Sequence, residues 1–420
     1  MDNSLKLNKN ILYQILFGLC VAVTYLNKYE LTFAVWVFTC LVTIKQNYSY
    51  TVLRYVTFFA AIFTLALIVA FFKYHTVYNY IRDITYLIKP ILGILIGYQL
   101  CKNNAIKPFH TIVYVGLFIA FIHLGIIFKS IVIYKILNIH KLREHGGYFS
   151  DFEVYSLIVL IFSNRFKLGF SAQYRWILIG IIGVSSLLYV SRTNFLQFIV
   201  LYFAMMGYLR LTKQSITVMG SLLVFVIILY SVLFSMNFNR NGSGTEAFLF
   251  KIKNAPIEAF KTKVNKDDWQ DFNDNYRSYE NIITTNQVTR EGMVSTLFGK
   301  GMGATVNLGR KVYSNDGEFI QFVPQLHNGF MIVFLKTGLT GVFIYLMFLY
   351  YLCKVEKTND YYIQQVNYML FGTGVLIIMS SWVLMGLYLK TDNKSILIGF
   401  LLCYKELLVK QQQQAVVKDV

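Results

Sequence analysis

The sequence predicts an all-α polytopic membrane protein, and its composition and apolar periodicity carry that prediction. Of the 420 residues, 56% are hydrophobic and only 14% are charged, whereas soluble domains have about 25% charged residues. Mean hydropathy is +0.51, and apolar runs recur at the length of about 20 residues that a helix needs to cross a hydrocarbon core. These features disfavour a water-soluble fold and predict a single integral membrane domain over residues 1–420.

Apolar runs bounded by charges predict about twelve transmembrane helices. Their approximate centres are Leu19, Trp36, Phe63, Ile94, Phe118, Val159, Gly183, Val200, Ile228, Leu335, Ile377 and Gly399. The second and the last are the shortest. Lysines precede the first run and no small-residue cleavage site follows it, so we expect this run to stay as an anchor.

The basic residues predict the orientation of these spans. The chain has 39 Lys+Arg against 21 Asp+Glu, a formal net charge of +18. Cytoplasmic loops of membrane proteins collect Lys and Arg, so the excess is interpreted as topological and not as a nucleic-acid surface. With cytoplasmic N- and C-termini, every inside segment is basic, although Lys73, Arg82, Lys390 and Lys394 on the outside weaken the contrast.

One connection differs from the others. Residues 239–325 form a long, polar, extracytoplasmic loop before the tenth predicted helix, and loops of this length usually carry function or disorder. Within it, residues 254–266 are weakly amphipathic and predict short helices at the membrane interface. The glutamine-rich tail, 411–420, is predicted to be disordered and cytoplasmic. The five cysteines have no metal-ligand spacing, so no metal site is predicted.

Two motifs place polar residues at the outside ends of predicted spans. His327 and Asn328 stand where the tenth span begins, and Gly338 and Gly341 lie along it. A lone histidine at a membrane edge is more often an interfacial residue, and glycines also let helices pack closely. Arg192 lies in a tight outside turn, against the positive-inside tendency, and ionisable groups at membrane depth are usually functional. On physical grounds the arginine is the stronger functional candidate.

Two outside loops add further candidates. Arg143 is followed by a glycine pair and by Asp151 and Glu153. The glycines allow backbone N–H groups to face an anion. An equally good interpretation is a solvated loop, followed by two acidic residues that are favoured at the start of a helix. Arg290 and Arg310 flank a glycine-rich stretch that superficially matches a dinucleotide-binding motif, yet no strand and helix flank it as that motif requires. The alternative hypothesis, that this basic loop lies near a phosphate-bearing ligand, stays open.

These arginines and His327 share the predicted outer side of the membrane. Guanidinium groups bind phosphate oxygens with paired, charge-assisted hydrogen bonds. A cluster of them at the outer leaflet therefore suits a diphosphate leaving group.

The motifs resemble those of the bacterial O-antigen polymerase and O-antigen ligase superfamily. The ligase pattern H-[NSQ]-x9-G-x-x-G is matched by His327, Asn328, Gly338 and Gly341. The long outside loop ahead of the histidine-bearing helix is also present.

Two shorter patterns extend the resemblance. The companion pattern R-x3-L is matched by Arg192 and Leu196, and an R-x10-G pattern fits Arg290 and Gly301. The resemblance is best from about residue 191 to residue 355, whereas the first half matches only in being apolar spans.

The resemblance implies a GT-C-type membrane fold and a metal-independent, inverting glycosyl transfer from an undecaprenyl-diphosphate oligosaccharide, without a cofactor. It implies that Arg192 and Arg290 stabilise the departing diphosphate, and that His327 accepts the proton of the acceptor hydroxyl. The candidates for substrate binding are Arg143, Asp151, Glu153, Asn328 and Arg310.

Three functions fit these features. Polymerase is favoured over ligase because the long loop is a natural place to grip a variable sugar chain. The product would be an O-antigen, capsule or exopolysaccharide made in a bacterial cytoplasmic (inner) membrane. Membrane lipid and a chain-length regulator protein are the expected partners, with no nucleic acid. A flippase or transporter is the third reading, and Lys89 and Lys129 are its candidate intramembrane charges.

Overall fold

The computed structural model describes residues 2–26, 28–103, 107–136, 138–210, 212–240, 242, 244–313, 319–356 and 358–418. These residues form a helical bundle and one small antiparallel sheet. The helices of the first half are α1 (Asp2–Ala22), α2 (Tyr29–Val42), α3 (Tyr50–Ala70), α4 (Val77–Asn103), α5 (Pro108–Val132), α6 (Ile139–Gly146), α7 (Asp151–Ile161), α8 (Ala172–Leu188), α9 (Arg192–Met205) and α10 (Lys213–Ser235). The second half forms α11 (Gly244–Phe260), α12 (Trp269–Asp274), α13 (Tyr276–Arg290), α14 (Met293–Phe298), β1 (Val306–Tyr313), β2 (Phe319–Val323), α15 (Gly329–Cys353), α16 (Tyr361–Val383) and α17 (Lys394–Lys418).

The membrane character of the chain is confirmed. In the described part of the chain, six helices are long and apolar enough to cross a membrane, namely α3, α4, α5, α10, α15 and α16. Three apolar helices are shorter, at Ile11–Leu26, Tyr29–Val42 and Ala172–Leu188. Each of the twelve predicted centres lies in a helix. However, α7 has 11 residues and α9 has 14, fewer than the roughly 20 that a single crossing requires.

Polar caps define where the helices begin. In the described part of the chain, the side chains of seven residues accept hydrogen bonds from backbone N–H groups of the following turn, and this satisfies donors that a helix start leaves unpaired. They are Ser49, Ser150, Ser171, Thr212, Asp268, Asn328 and Asp360, which cap α3, α7, α8, α10, α12, α15 and α16.

The core of the bundle contains a close pair of helices, α4 and α17. A Cβ atom on Gly97 would lie 2.0 Å from the carbonyl oxygen of Ile396, and one on Gly399 would lie 1.9 Å from that of Ile94. Only glycine fits at these two positions, because the backbones themselves are in contact. Small residues of this kind allow membrane helices to approach closely.

Helix α15 is broken at Gly338, whose φ of 62° and ψ of −160° are not helical. The break frees carbonyl groups one turn earlier. Lys300 N–H donates to the oxygen of Leu335 at 2.8 Å, and Gly301 N–H donates to that of Lys336 at 3.1 Å. The glycine-rich stretch after α14 therefore packs its backbone into the break. This gives the glycines a packing role, and phosphate binding by the basic residues of the loop stays a prediction.

Gly338→Ala should destabilise the fold. The added Cβ would meet the carbonyl carbon of Leu297 at 2.4 Å, and an alanine at positive φ is strained by about 1–3 kcal/mol. We expect a lower thermal unfolding midpoint in detergent. The control is Gly125→Ala in α5, where no atom lies within 4 Å of the added carbon. Equal midpoints for the two variants would contradict the packing role.

The long loop, 239–325, is mostly structured. It carries α11 to α14 and the antiparallel pair β1–β2, in which Val306 faces Val323 and Tyr313 faces Phe319. The predicted amphipathic segment, 254–266, falls partly in α11. The all-α prediction thus missed one hairpin, whose residues alternate between buried and exposed over most of β1.

The C-terminal tail also differs from its prediction. Helix α17 continues through Lys418, so residues 411–418 are helical where disorder was predicted, and 419–420 lie outside the described residues. Glutamine, alanine and lysine are good helix formers, and no glycine or proline interrupts the segment. The low-complexity tail therefore extends α17, because its residues favour a helix.

Candidate functional site

A cavity of about 590 Å³ lies at the end of the bundle that carries α11 to α14 and the hairpin, here called the loop end. Its polar wall is formed by Arg192 of α9, Glu258 of α11, Arg277 of α13 and Lys394 of α17. Its apolar wall is formed mainly by the last turns of α16 and the chain that follows. The apolar residues on that side are Leu376, Ile378, Met379, Trp382, Val383, Leu384 and Leu389.

The turn between α8 and α9 places Arg192 on the cavity wall. Val190 has a φ of 45°, which is strained for a β-branched residue, and such strain is concentrated at functional sites. The tight turn lets α9 begin directly at Arg192. The predicted tight turn between two apolar runs therefore agrees with the structure, in which Arg192 is the first residue after the turn.

Arg277 is the second arginine of the cavity. It lies in the first turn of α13, and its Nη1 is 3.5 Å from Oε1 of Glu258. Arg192 is within electrostatic reach of Arg277, Glu258 and Arg143. The three arginines therefore concentrate positive charge here, and one carboxylate offsets part of it.

His327 is held by Glu280 of α13; it does not line the cavity itself, but it is within electrostatic reach of Arg277 and Glu258, which do. One oxygen of Glu280, Oε2, accepts a hydrogen bond from the backbone N–H of His327 at 2.9 Å and contacts its Nδ1 at 3.0 Å. The backbone oxygen of His327 accepts from Met385 N–H at 2.9 Å, which ties it to the end of α16. The Glu280 side chain is 1% exposed, whereas that of His327 is 46% exposed. The carboxylate is thus buried behind an accessible imidazole.

This geometry sets the chemistry of the imidazole. A carboxylate only accepts hydrogen bonds, so the Nδ1 atom carries the hydrogen and Nε2 is the acceptor of the neutral ring. Desolvation disfavours the charged ring, but the hydrogen bond and the charge of Glu280 outweigh it and raise the pKa of His327 above its ordinary value. His327 is therefore a stronger base than a free histidine.

Two further predicted residues lie nearby. Asn328 caps α15 by accepting from the backbone N–H groups of Phe330 and Met331, at 2.9 and 3.2 Å. Its predicted role in substrate binding is thus accompanied by a structural one. Arg143 of α6 lies with its guanidinium carbon 5.6 Å from the ring centre of Tyr148, close enough to Arg192 to add to the charge of the cavity.

Two of the predicted arginines lie away from the cavity. Arg290 is exposed at the last position of α13, about 15 Å along the helix from Glu280. Arg310 lies on β1, where Nη1 donates to the oxygen of Lys266 at 2.7 Å and the guanidinium stacks on Phe272 at 4.5 Å. Neither of them lines the cavity. The pattern linking Arg290 to Gly301 therefore does not bring that arginine to His327.

Asp151 and Glu153, both predicted to bind substrate, are buried in the first turn of α7. Nζ of Lys394 donates to Asp151 at 2.8 Å, and the Tyr189 hydroxyl donates to Glu153 at 3.2 Å. Helix α7 packs between α5, α8 and α9, so its first turn faces the interior. Asp151 thus lies behind the cavity wall, where it helps to hold Lys394.

Sequence reasoning missed Arg277, Glu280, Glu258 and Lys394. The available signal was the spacing of Arg277 and Glu280, which are three residues apart and share one face of a helix. Lys394 was counted only as a charge that weakened the orientation. Its partners are Asp151, 243 residues earlier, and Asp392. That pairing depends on how distant helices pack.

The chain was compared with protein-family models, curated proteins and solved structures, and none of the three comparisons found a match.

Proposed function

We propose that the chain is a glycosyltransferase that polymerises oligosaccharide units carried on a polyprenyl diphosphate, at the outer face of a bacterial cytoplasmic membrane. The observation that carries the proposal is the cavity, which combines an arginine-rich wall with a long apolar wall inside a membrane protein. A lipid diphosphate matches this cavity, because its charged diphosphate head suits the arginine-rich wall and its apolar tail suits the apolar wall. The motifs that resemble the O-antigen polymerase and ligase superfamily support the same reading.

The reaction assigns a task to each polar side chain. The acceptor hydroxyl oxygen forms a bond to the anomeric carbon, and the bond from that carbon to the diphosphate oxygen breaks. The hydroxyl proton passes to Nε2 of His327, and the bonding electrons leave with the diphosphate. Arg192 and Arg277 stabilise the charge that develops on this leaving group. Glu280 holds the imidazole in the tautomer whose Nε2 can accept the proton.

The acceptor distinguishes the polymerase from the ligase. Purified protein reconstituted in vesicles should convert undecaprenyl-diphosphate oligosaccharide alone into a ladder of longer glycans on a gel. Transfer that requires added lipid A core would identify a ligase. Absence of transfer to either acceptor, with the donor intact and accessible, would overturn the proposal of a glycosyltransferase.

A transporter is the second candidate, because ionisable groups are buried inside the bundle. Lys89 donates to the oxygen of Asp392 at 2.8 Å, and Lys394 contacts both Asp392 and Asp151. Transporters place such groups along a pathway near the membrane midplane. Movement of labelled lipid-linked sugar across the vesicle membrane, without new glycosidic bonds, would favour this candidate. Lys129, the other predicted charge, lies in the last turn of α5.

Glu280→Gln should shift the pH dependence of glycan transfer. His327 must be neutral to accept a proton, so activity falls as the pH drops through its pKa, which Glu280 raises. Without the carboxylate that pKa falls, and we expect the acidic limb of kcat/KM to move to lower pH while the maximal rate decreases. Glu30→Gln, at an exposed carboxyl group in the first turn of α2, is the control. An unmoved limb in Glu280→Gln would exclude this histidine as the titrating base.

A further inference from the structure

A second, smaller pocket lies at the other end of the bundle. It is lined by residues from the start of α3, the end of α15, the first turns of α16 and the middle of α17. Arg54 of the pocket and Ala70, which lies against Gly301 of the glycine-rich stretch at the loop end, are 16 residues apart on α3, about 24 Å along the helix. The pocket therefore lies at the end of the bundle opposite the loop end.

The pocket has an excess of positive charge. Arg54, Lys354 and Lys405 line it together with one carboxylate, that of Glu356. Nζ of Lys405 is 2.5 Å from Oε2 of Glu356. This ion pair neutralises one cation, so two positive charges are left at the pocket.

Arg54 is fixed in place while one of its donors has no partner. Its guanidinium carbon lies 4.5 Å from the ring centre of Tyr351 and 5.6 Å from that of Tyr55, and such stacking orients the guanidinium plane. In the described part of the chain, the Nε atom of Arg54 is buried and makes no hydrogen bond. An unsatisfied buried donor of a charged group is costly, and a bound anion would satisfy it.

The pocket has room for a small anion. Its volume is about 50 Å³, and one water-sized probe occupies about 10–15 Å³ of such space. This corresponds to roughly three to five non-hydrogen atoms, which is the size of one phosphate group, and the pocket opens to solvent, where the rest of a larger ligand can extend.

The positive-inside rule alone also places cations at this end of the bundle. Cations that serve only topology are solvated and exposed, as the side chain of Lys213 is at the start of α10. By contrast, the Lys405 side chain is 19% exposed, and Arg54 is partly buried between two tyrosines. Two partly buried cations in a pocket between helices, with the exposed Lys354 beside them, are typical of a lipid headgroup site.

We propose that this pocket binds the phosphate group of an anionic glycerophospholipid from the leaflet opposite the cavity. Arg54 and Lys405 hold the phosphate, and Lys354 adds to the attraction. The inference does not depend on glycosyl transfer, because it concerns a different site with its own ligand. Free inorganic phosphate has the same chemistry and is the other possible source of the group.

The test is native mass spectrometry of the full-length protein, delipidated in detergent and then given phosphatidylglycerol or phosphatidylcholine. We expect phosphatidylglycerol to bind preferentially, and binding to weaken at least tenfold in Arg54→Gln/Lys405→Gln. The control, Lys102→Gln/Lys213→Gln, removes two cations from the same end of the bundle but outside the pocket, and should bind as the wild type does. Equal binding by the two double variants would overturn the proposal.

Two further measurements complete the test: lipid binding by Glu356→Gln, and competition by inorganic phosphate. Glu356→Gln removes the only carboxylate among the residues that line the pocket, so it should tighten phosphatidylglycerol binding, which a purely structural role would not do. This variant decides the question if the double variant fails to fold, because unchanged or weaker binding then counts against the site. Inorganic phosphate at millimolar concentration should displace the lipid only if the free anion is a second source of the ligand.

Discussion

Replacing Arg277 by alanine should lower the rate of glycan transfer by about 10²–10³-fold, the usual effect of removing one fixed donor to a developing negative charge. Arg277 lines the cavity beside Arg192, and its Nη1 is 3.5 Å from Oε1 of Glu258. Arg192→Ala should have a loss of the same order. Arg277→Lys should recover only part of the rate, because lysine cannot bind two phosphate oxygens in a fork.

The matched control for this experiment is Arg290→Ala, on the same helix. Arg290 lies about 15 Å from Glu280 along α13 and is exposed. We expect nearly wild-type transfer from this variant, measured with reconstituted protein at equal insertion levels. A large loss in Arg290→Ala together with normal transfer by Arg277→Ala would mean that the sequence pattern, and not the cavity, identifies the site.

Replacing Lys336 by methionine should destabilise the protein more than the other substitutions described here. The Nζ atom of Lys336 lies 2.5 Å from Oδ2 of Asp83, and both side chains are 0% exposed. Removing the cation leaves the carboxylate buried without its charge partner, which costs about 3–5 kcal/mol. The same oxygen of Asp83 also accepts from Gly303 N–H at 2.6 Å, so the glycine-rich stretch should loosen as well.

The double variant Lys336→Met/Asp83→Asn separates charge from packing. Removing both charges avoids the isolated carboxylate, so much of the lost free energy of unfolding should return. Unfolding in a denaturing detergent series, followed by tryptophan fluorescence, measures the difference. If the single and double variants unfold alike, the ion pair contributes little and α15 is held by its other contacts.

Local patterns in the sequence predicted much of the fold. The apolar runs predicted twelve helix centres because a membrane helix satisfies its own backbone hydrogen bonds, so length and hydropathy suffice to find it. The run around Val159 was the exception: it begins after Glu153 and ends at Phe162, before the polar residues of a 3₁₀ turn at residues 163–166, so its length did not support a full crossing. The membrane crossings of the shorter helices remain a prediction.

The candidate site was only half accessible to sequence reasoning. Arg192 and His327 stand at the ends of apolar runs, where a polar residue is conspicuous. Arg277 and Glu280 lie within a polar loop of many charges, so nothing local separates them from Arg290 and Arg310. Only the packing of α13 against the start of α15 brings Glu280 to His327.

The glycine-rich stretch shows the same limit. Gly299, Gly301 and Gly303 all have positive φ, between 78° and 82°, which a glycine-rich sequence suggests. Gly299 packs against the break at Gly338, Gly301 against Ala70 and Gly303 against His75. No spacing rule connects the glycines to these partners. Backbone packing therefore gives the glycines a structural role, and phosphate binding by this loop stays a prediction.

The most direct measurement follows a single turnover of reconstituted protein with doubly labelled undecaprenyl-diphosphate oligosaccharide, and counts released lipid diphosphate and new glycosidic bonds together. We predict one lipid diphosphate released for each bond formed by the wild type and by Arg290→Ala, and formation of both products about 10²–10³-fold more slowly in His327→Ala and Arg277→Ala. Wild-type rates of glycan elongation in both His327→Ala and Arg277→Ala, or a wild type that forms no bond, would contradict the proposed function.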